Sequence, residues 1–135
     1  MSASEEDAKA VVRRFLEALD KHDFASLAEH PGLHQILQRH PLMRAAFPDL
    51  QHKIDEQIAE GGTVATRVTM TGTHLGSFMG VAPTNRQHTW NVLLMDRVVD
   101  GRIVLHHANN SWTLLGELGL LPQPPKPDLP ESKAS

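Results

Sequence analysis

The apolar positions Ala8, Val11, Val12, Phe15, Leu16 and Leu19 recur at the i, i+3, i+4, i+7 spacing of a single helix face. That spacing predicts a helix running to about Asp20, capped by Ser2 or Ser4, with Glu5, Glu6 and Asp7 where the helix dipole favours acid. Asp23 predicts the cap of a short second helix through Leu27. Pro31-Gly32 separates it from a third helical stretch carrying Leu33, Ile36, Leu37, Leu42 and Met43, which Pro41 is expected to break or kink and Phe47-Pro48-Asp49 to end. From Leu50 onward the pattern changes to strands. Segments 52–60, 63–74, 86–99 and 102–110 are rich in Val, Ile, Thr and Leu, with Gly61-Gly62 and Asp100-Gly101 placed as hairpin turns. Helices followed by an antiparallel meander predict an α+β fold rather than the alternating order of a parallel sheet.

The strand over 86–99 is apolar on both sides, with Trp90, Val92, Leu94 and Val98 on one face and Leu93, Met95 and Val99 on the other. A half-solvated sheet alternates more cleanly. One face is therefore expected against the helices and a pocket, and the other against a partner, most simply a second copy forming a homodimer. Ser111 to Gly119 is expected to form a short closing helix or an extended return. Residues 122–135 hold five prolines in fourteen positions and almost no apolar mass, so a disordered tail is expected behind one domain over 1–121.

Composition narrows the function. A chain of 135 residues, 40% apolar and 21% charged, suits one folded core and one main site. A formal charge of −3 with scattered Lys and Arg argues against nucleic acid. The start lacks a cationic segment followed by an apolar one, and no stretch approaches the roughly 20 apolar residues that span a bilayer, so a cytoplasmic protein without membrane association is expected. The absence of cysteine removes disulfides and thiolate chemistry. Nine histidines raise the question of a metal, but His22, His30, His34, His40 and His52 form no compact ligand set, and no metal site is expected. No phosphate loop, dinucleotide fingerprint or serine elbow is present.

Phe47-Pro48-Asp49-Leu50, Ile58-Ala59-Glu60-Gly61, Thr71-Gly72-Thr73-His74 with Gly76 and Phe78, Pro83-Thr84-Asn85-Arg86 and Asp100-Gly101-Arg102-Ile103 occur in an order and spacing that resembles the SnoaL-like polyketide cyclase or ester cyclase family. That family lies within the nuclear transport factor 2-like superfamily, and the likeness covers roughly residues 8 to 121. The resemblance implies a cone-shaped sheet of six or a similar number of strands around a long helix, a cystatin-like α+β roll. It also implies a frequently dimeric state and a pocket for a small apolar substrate. It further implies ring closure by intramolecular aldol addition with neither metal nor organic cofactor, using a carboxylate shortly after a Glu-x-Trp segment of the last strand. The sequence departs from that pattern. Aligned without a gap, the family's Glu, Trp and Asp fall on Leu105, His107 and Ser111; with one deletion, Trp falls on His106 and Asp on Asn110.

The run His106-His107-Ala108-Asn109-Asn110 stands in place of that carboxylate. Alternation puts Leu105, His107 and Asn109 on one face and His106, Ala108 and Asn110 on the other, so only one of the two histidines is expected in the pocket. His107 is taken as the proton shuttle, since imidazole titrates near neutrality, and Asn110 or Asn109 as the amide that steadies a developing oxyanion. His106, His74 at the pocket rim, Trp90 as a flat wall and Arg97 as a partner for a polarised oxygen complete the expected substrate contacts. Two alternatives stand beside this cyclase or isomerase. One is a non-catalytic binding protein that lost the carboxylate. The other is an epoxide hydrolase or hydratase, whose Asp-Arg-Asp arrangement is represented only by Asp96 and Arg97.

Overall fold

The structure, a computed structural model, describes residues 3–109, 114, 118 and 119. Helix α1 spans Ala3–Asp20 and α2 Phe24–Leu27; a 3-10 turn over Pro31–Leu33 leads into α3, His34–Ala46. The strands are β1 (Gln51–Glu60), β2 (Thr63–Thr73), β3 (Gln87–Val99) and β4 (Arg102–Asn109). Asp23 caps α2 by accepting a hydrogen bond from the Ser26 backbone N–H. Ser4 lies inside α1 rather than before it, and Ser2 is outside the described residues. Pro41 does not break α3. Proline removes one backbone donor, and the turn beyond it is anchored by the fully buried Ala46 and Phe47. The Ala46 carbonyl there accepts hydrogen bonds from the backbone N–H groups of Leu75 and Gly76.

The strands form one antiparallel meander in the order β1-β2-β3-β4. Thus four strands are present among the described residues where the resemblance implies six or a similar number. The β3-β4 turn has Asp100 and Gly101 at φ +50° and +76°, the two positive angles that a tight hairpin requires. Val12, Phe15 and Leu16 of α1 pack with Leu33, Phe47, Leu50 and the inward Val64, Val68 and Ile103 of the sheet. Burial of each such side chain contributes about 1.5–3 kcal/mol. The predicted closing segment 111–119 lies outside the described residues apart from Leu114, which is buried, Leu118, which is partly buried, and the exposed Gly119; the tail 122–135 lies wholly outside them. Among the described residues, no helix is long and apolar enough to cross a membrane.

Register irregularities occur in β1 between Ile54 and Glu56 and in the β3-β4 pair at Arg97/Val98. The second matters for chemistry. Val98 pairs with Ile103 but Arg97 pairs with Leu105, so Val104 is an extra residue and the pairs beyond it are Asp96 with His106 and Met95 with His107. The 3-10 turn lies against this bulge, and Gly32 permits the approach: a Cβ there would sit 2.6 Å from the Leu105 nitrogen and the Val104 carbonyl carbon.

Candidate functional site

A cavity of about 910 Å³ lies between the inner sheet face, α1 and α3, within the size range of small-molecule sites. Phe15, Leu16 and Leu19 of α1 face Val68 and Met70 of β2 and Val92 and Leu94 of β3 across it, while Ile36, His40 and Met43 of α3 close another side. Most of this wall is apolar because inward positions of β2 and β3 alternate with exposed ones along each strand.

Two aspartate–histidine pairs interrupt the apolar wall. In the first, His106 Nδ1 lies 2.5 Å from Asp96 Oδ1, with side-chain exposures of 6% and 0%. A carboxylate has no proton to give, so Nδ1–H donates, which in the neutral ring leaves Nε2 as the unprotonated nitrogen. The ring stands edge-on to Phe15 at 5.4 Å, and Nε2 is buried with no hydrogen-bond partner among the described residues. In the second pair His52 Nδ1 donates to Asp20 Oδ1 at 2.6 Å, and the other Asp20 oxygen accepts from the His52 backbone N–H at 3.1 Å. His52 and His106 both line the cavity.

His40 lies beside His52, with ring centroids 6.1 Å apart. Burial, followed by the neighbouring His52 and Arg44, holds its pKa down to about 4, whereas Asp20 acts weakly in the other direction. The folded protein thus keeps His40 neutral where the unfolded chain binds a proton, so this residue's contribution to stability is present above pH 6.5 and is lost as pH falls towards 4. Replacing His40 by Leu is expected to remove a pH-dependent loss on the order of 3 kcal/mol across that window. Urea midpoints at pH 7 and pH 4 check this; parallel losses in both proteins would show that His40 does not titrate in this way.

The expected site residues are scattered by the fold. His106 enters the inner face. His107 borders the cavity at the β4 edge, yet is exposed and shares the outer face with its partner Met95. Asn109 is exposed opposite Leu93 on that outer face, and Asn110 lies outside the described residues. Trp90, expected as a pocket wall, is instead a core residue packed 5.2 Å from Phe47 and absent from the cavity lining. His74 is fully buried, stacks on Phe47 at 5.2 Å and accepts a hydrogen bond from the Thr84 backbone, so it bonds its own loop. Arg97 is exposed on the face opposite Asp96, and the partial Asp-Arg arrangement is not assembled. In the sequence reading Asp96 enters only as part of the hydratase alternative, His40 and His52 only as histidines outside any metal set, and Asp20 only as the end of the first helix. Asp96 was discoverable from its spacing, two residues beyond the inward Leu94; the other three meet only through tertiary packing. Among the described residues, no group of three or more metal-ligating side chains gathers.

A family model described as SnoaL-like polyketide cyclase matches residues 2–123. No curated protein matches the chain by sequence. Among solved structures, AclR from Streptomyces galilaeus, described as a candidate hydroxylase, is 32% identical over 91% of each chain with a TM-score of 0.79. IdmH from Streptomyces antibioticus, described as a candidate polyketide cyclase, is 30% identical over 83% of this chain and 98% of its own, with a TM-score of 0.72. A SnoaL-like protein from Jannaschia sp. CCS1 is 17% identical over 91% of this chain and 98% of its own, with a TM-score of 0.77, a likeness of fold. The helices and curved sheet are those of the nuclear transport factor 2-like α+β fold.

Proposed function

This chain belongs to the SnoaL-like polyketide cyclase family, and on that premise we propose that it closes a ring in an apolar, carbonyl-bearing substrate by acid–base chemistry centred on His106. His106 Nε2 takes a proton from the carbon beside one carbonyl. The enolate carbon then bonds to a second carbonyl carbon, and the proton returns to the resulting alkoxide oxygen. Atoms and electrons balance without an external oxidant or reductant. Asp96 positions the ring and stabilises the imidazolium, and the apolar wall strengthens that interaction by excluding water. The observation that carries the reading is the buried Asp96–His106 contact of 2.5 Å on the wall of a cavity large enough for fused rings.

The test needs no knowledge of the natural substrate. With 2-acetylnaphthalene in deuterium oxide, wild-type protein is expected to speed methyl proton exchange above the buffer rate, and His106→Gln to return it to that rate. Equal exchange by both proteins would remove His106 from the chemistry. The likeness to AclR favours a second reading, hydroxylation by molecular oxygen, in which one oxygen atom enters the substrate and the other leaves as water with two electrons and two protons from an added organic reductant; an isolated product would be heavier by one oxygen atom, whereas ring closure leaves the composition unchanged or removes water. A ligand recovered unaltered would support the binding-protein alternative.

The same family premise supports a homodimer through the outer sheet face, where Leu93, Met95, Val99 and Leu105 are about half exposed. Met95→Glu is expected to weaken self-association by about 2 kcal/mol, a factor of about 30 in Kd. Sedimentation equilibrium measures it, and a monomeric wild type would refute the dimer.

A further inference from the structure

The second Asp–His pair is far from the first. His52 is in register with Met70, and His106 with Asp96, whose β2 partner is Val64. Met70 and Val64 are six positions apart on β2, about 20 Å of strand before curvature, and the two histidines lie on the sheet's opposite outermost strands. Both nevertheless line one cavity. A single small carbonyl group does not bridge such poles; an elongated molecule does.

The chemistry at the far pole selects what it meets. Asp20 accepts a hydrogen bond from His52 on each of its two oxygens, so its charge is directed at that residue. Arg44 is held by the backbone carbonyls of Leu19, Pro48 and Leu50, and its charge offsets that of Asp20. His40 is only 8% exposed, lines the cavity, and has its Nε2 buried without a hydrogen-bond partner among the described residues. An incoming group therefore encounters two imidazoles, one backed by a carboxylate and one with an unused nitrogen. Both complement an acidic hydroxyl. The proton passes from the oxygen to His52 Nε2, Asp20 stabilises the imidazolium, and His40 Nε2–H donates to the oxygen left behind.

Resting on the reading of the cavity as a substrate site, we propose that His40 and His52, backed by Asp20, form a second pole that grips a phenol or enol oxygen of an elongated, multi-ring substrate whose other end reaches His106.

Alizarin, whose colour reports ionisation of its hydroxyls, and its dimethyl ether are the probes. Wild-type protein is expected to bind alizarin at least tenfold more tightly than the ether and to shift its absorption towards that of the phenolate. His52→Gln is expected to abolish both the shift and the preference. Imidazole nitrogen-15 spectra of the wild type guard against a variant that fails to fold: His52 Nε2 is expected to move to the protonated position with alizarin and not with the ether. Equal affinity for the two dyes, or a preference unchanged in a folded His52→Gln protein, would overturn the second pole and leave the His106 exchange assay unaffected. Failure of the wild type to bind either dye would overturn the cavity itself as the ligand site.

Discussion

Asp96→Asn is expected to lower the catalysed exchange rate by about 10²- to 10⁴-fold, the usual contribution of a positioned acid or base, with KM changed by no more than a few fold. The Asp96 carboxylate is fully buried and accepts the Nδ1–H of His106. An amide of the same shape still hydrogen-bonds the ring, but it cannot fix which nitrogen carries the proton or stabilise the imidazolium that forms when Nε2 takes one. The loss therefore belongs in kcat. Deuterium exchange rates at saturating 2-acetylnaphthalene, with circular dichroism confirming the fold, provide the measurement. A folded Asp96→Asn protein with the full rate would mean that this pair is only structural.

The largest expected loss of stability comes from Phe47→Ala, about 3–5 kcal/mol by the usual cost of emptying a buried aromatic site. Phe47 is fully buried, and its ring centroid lies 5.2 Å from those of His74 and Trp90 and 5.9 Å from that of Phe78. It also packs so closely on β2 that a Cβ at Gly72 would lie 2.9 Å from its own Cβ. Domains of this size have about 5–15 kcal/mol in total, so the variant is expected to lose a large part of its urea resistance, and Phe47→Leu to restore much of it. Because Phe47 does not line the cavity, the surviving folded fraction should still catalyse exchange. A shift below about 1 kcal/mol would show that the ring cluster relaxes around the gap.

The fold was legible because its signals are local. The single apolar stripe from Ala8 to Leu19 needs a helix, Asp100-Gly101 supplies the two positive φ angles of a tight turn, and Trp90, Val92 and Leu94 alternate as an inward face must. Pro41 was the exception: its local preference for a break was overridden by burial of Ala46 and Phe47 further along. Trp90 and His74 looked like wall and rim because both residue types suit binding sites. Packing around Phe47 placed them in the core instead.

By itself, the sequence determined the order of elements, the two-faced apolar character of β3 and the presence of an unusual His-His-Ala-Asn-Asn run after Leu105. Which histidine faces the cavity was decided by the tertiary structure. Carried from Val99 opposite Arg102 without interruption, pairing would set His107 beside the inward Leu94 and His106 beside the outward Met95. The extra residue Val104 reverses this and brings His106 to Asp96. That bulge lies where the Pro31–Leu33 turn meets β4, with His30 Nδ1 accepting from the Ile103 N–H. Strand periodicity fixes which residues share a face, but the face that is buried depends on a register set by contacts more than seventy positions away in the chain, and local pattern carries no information about it.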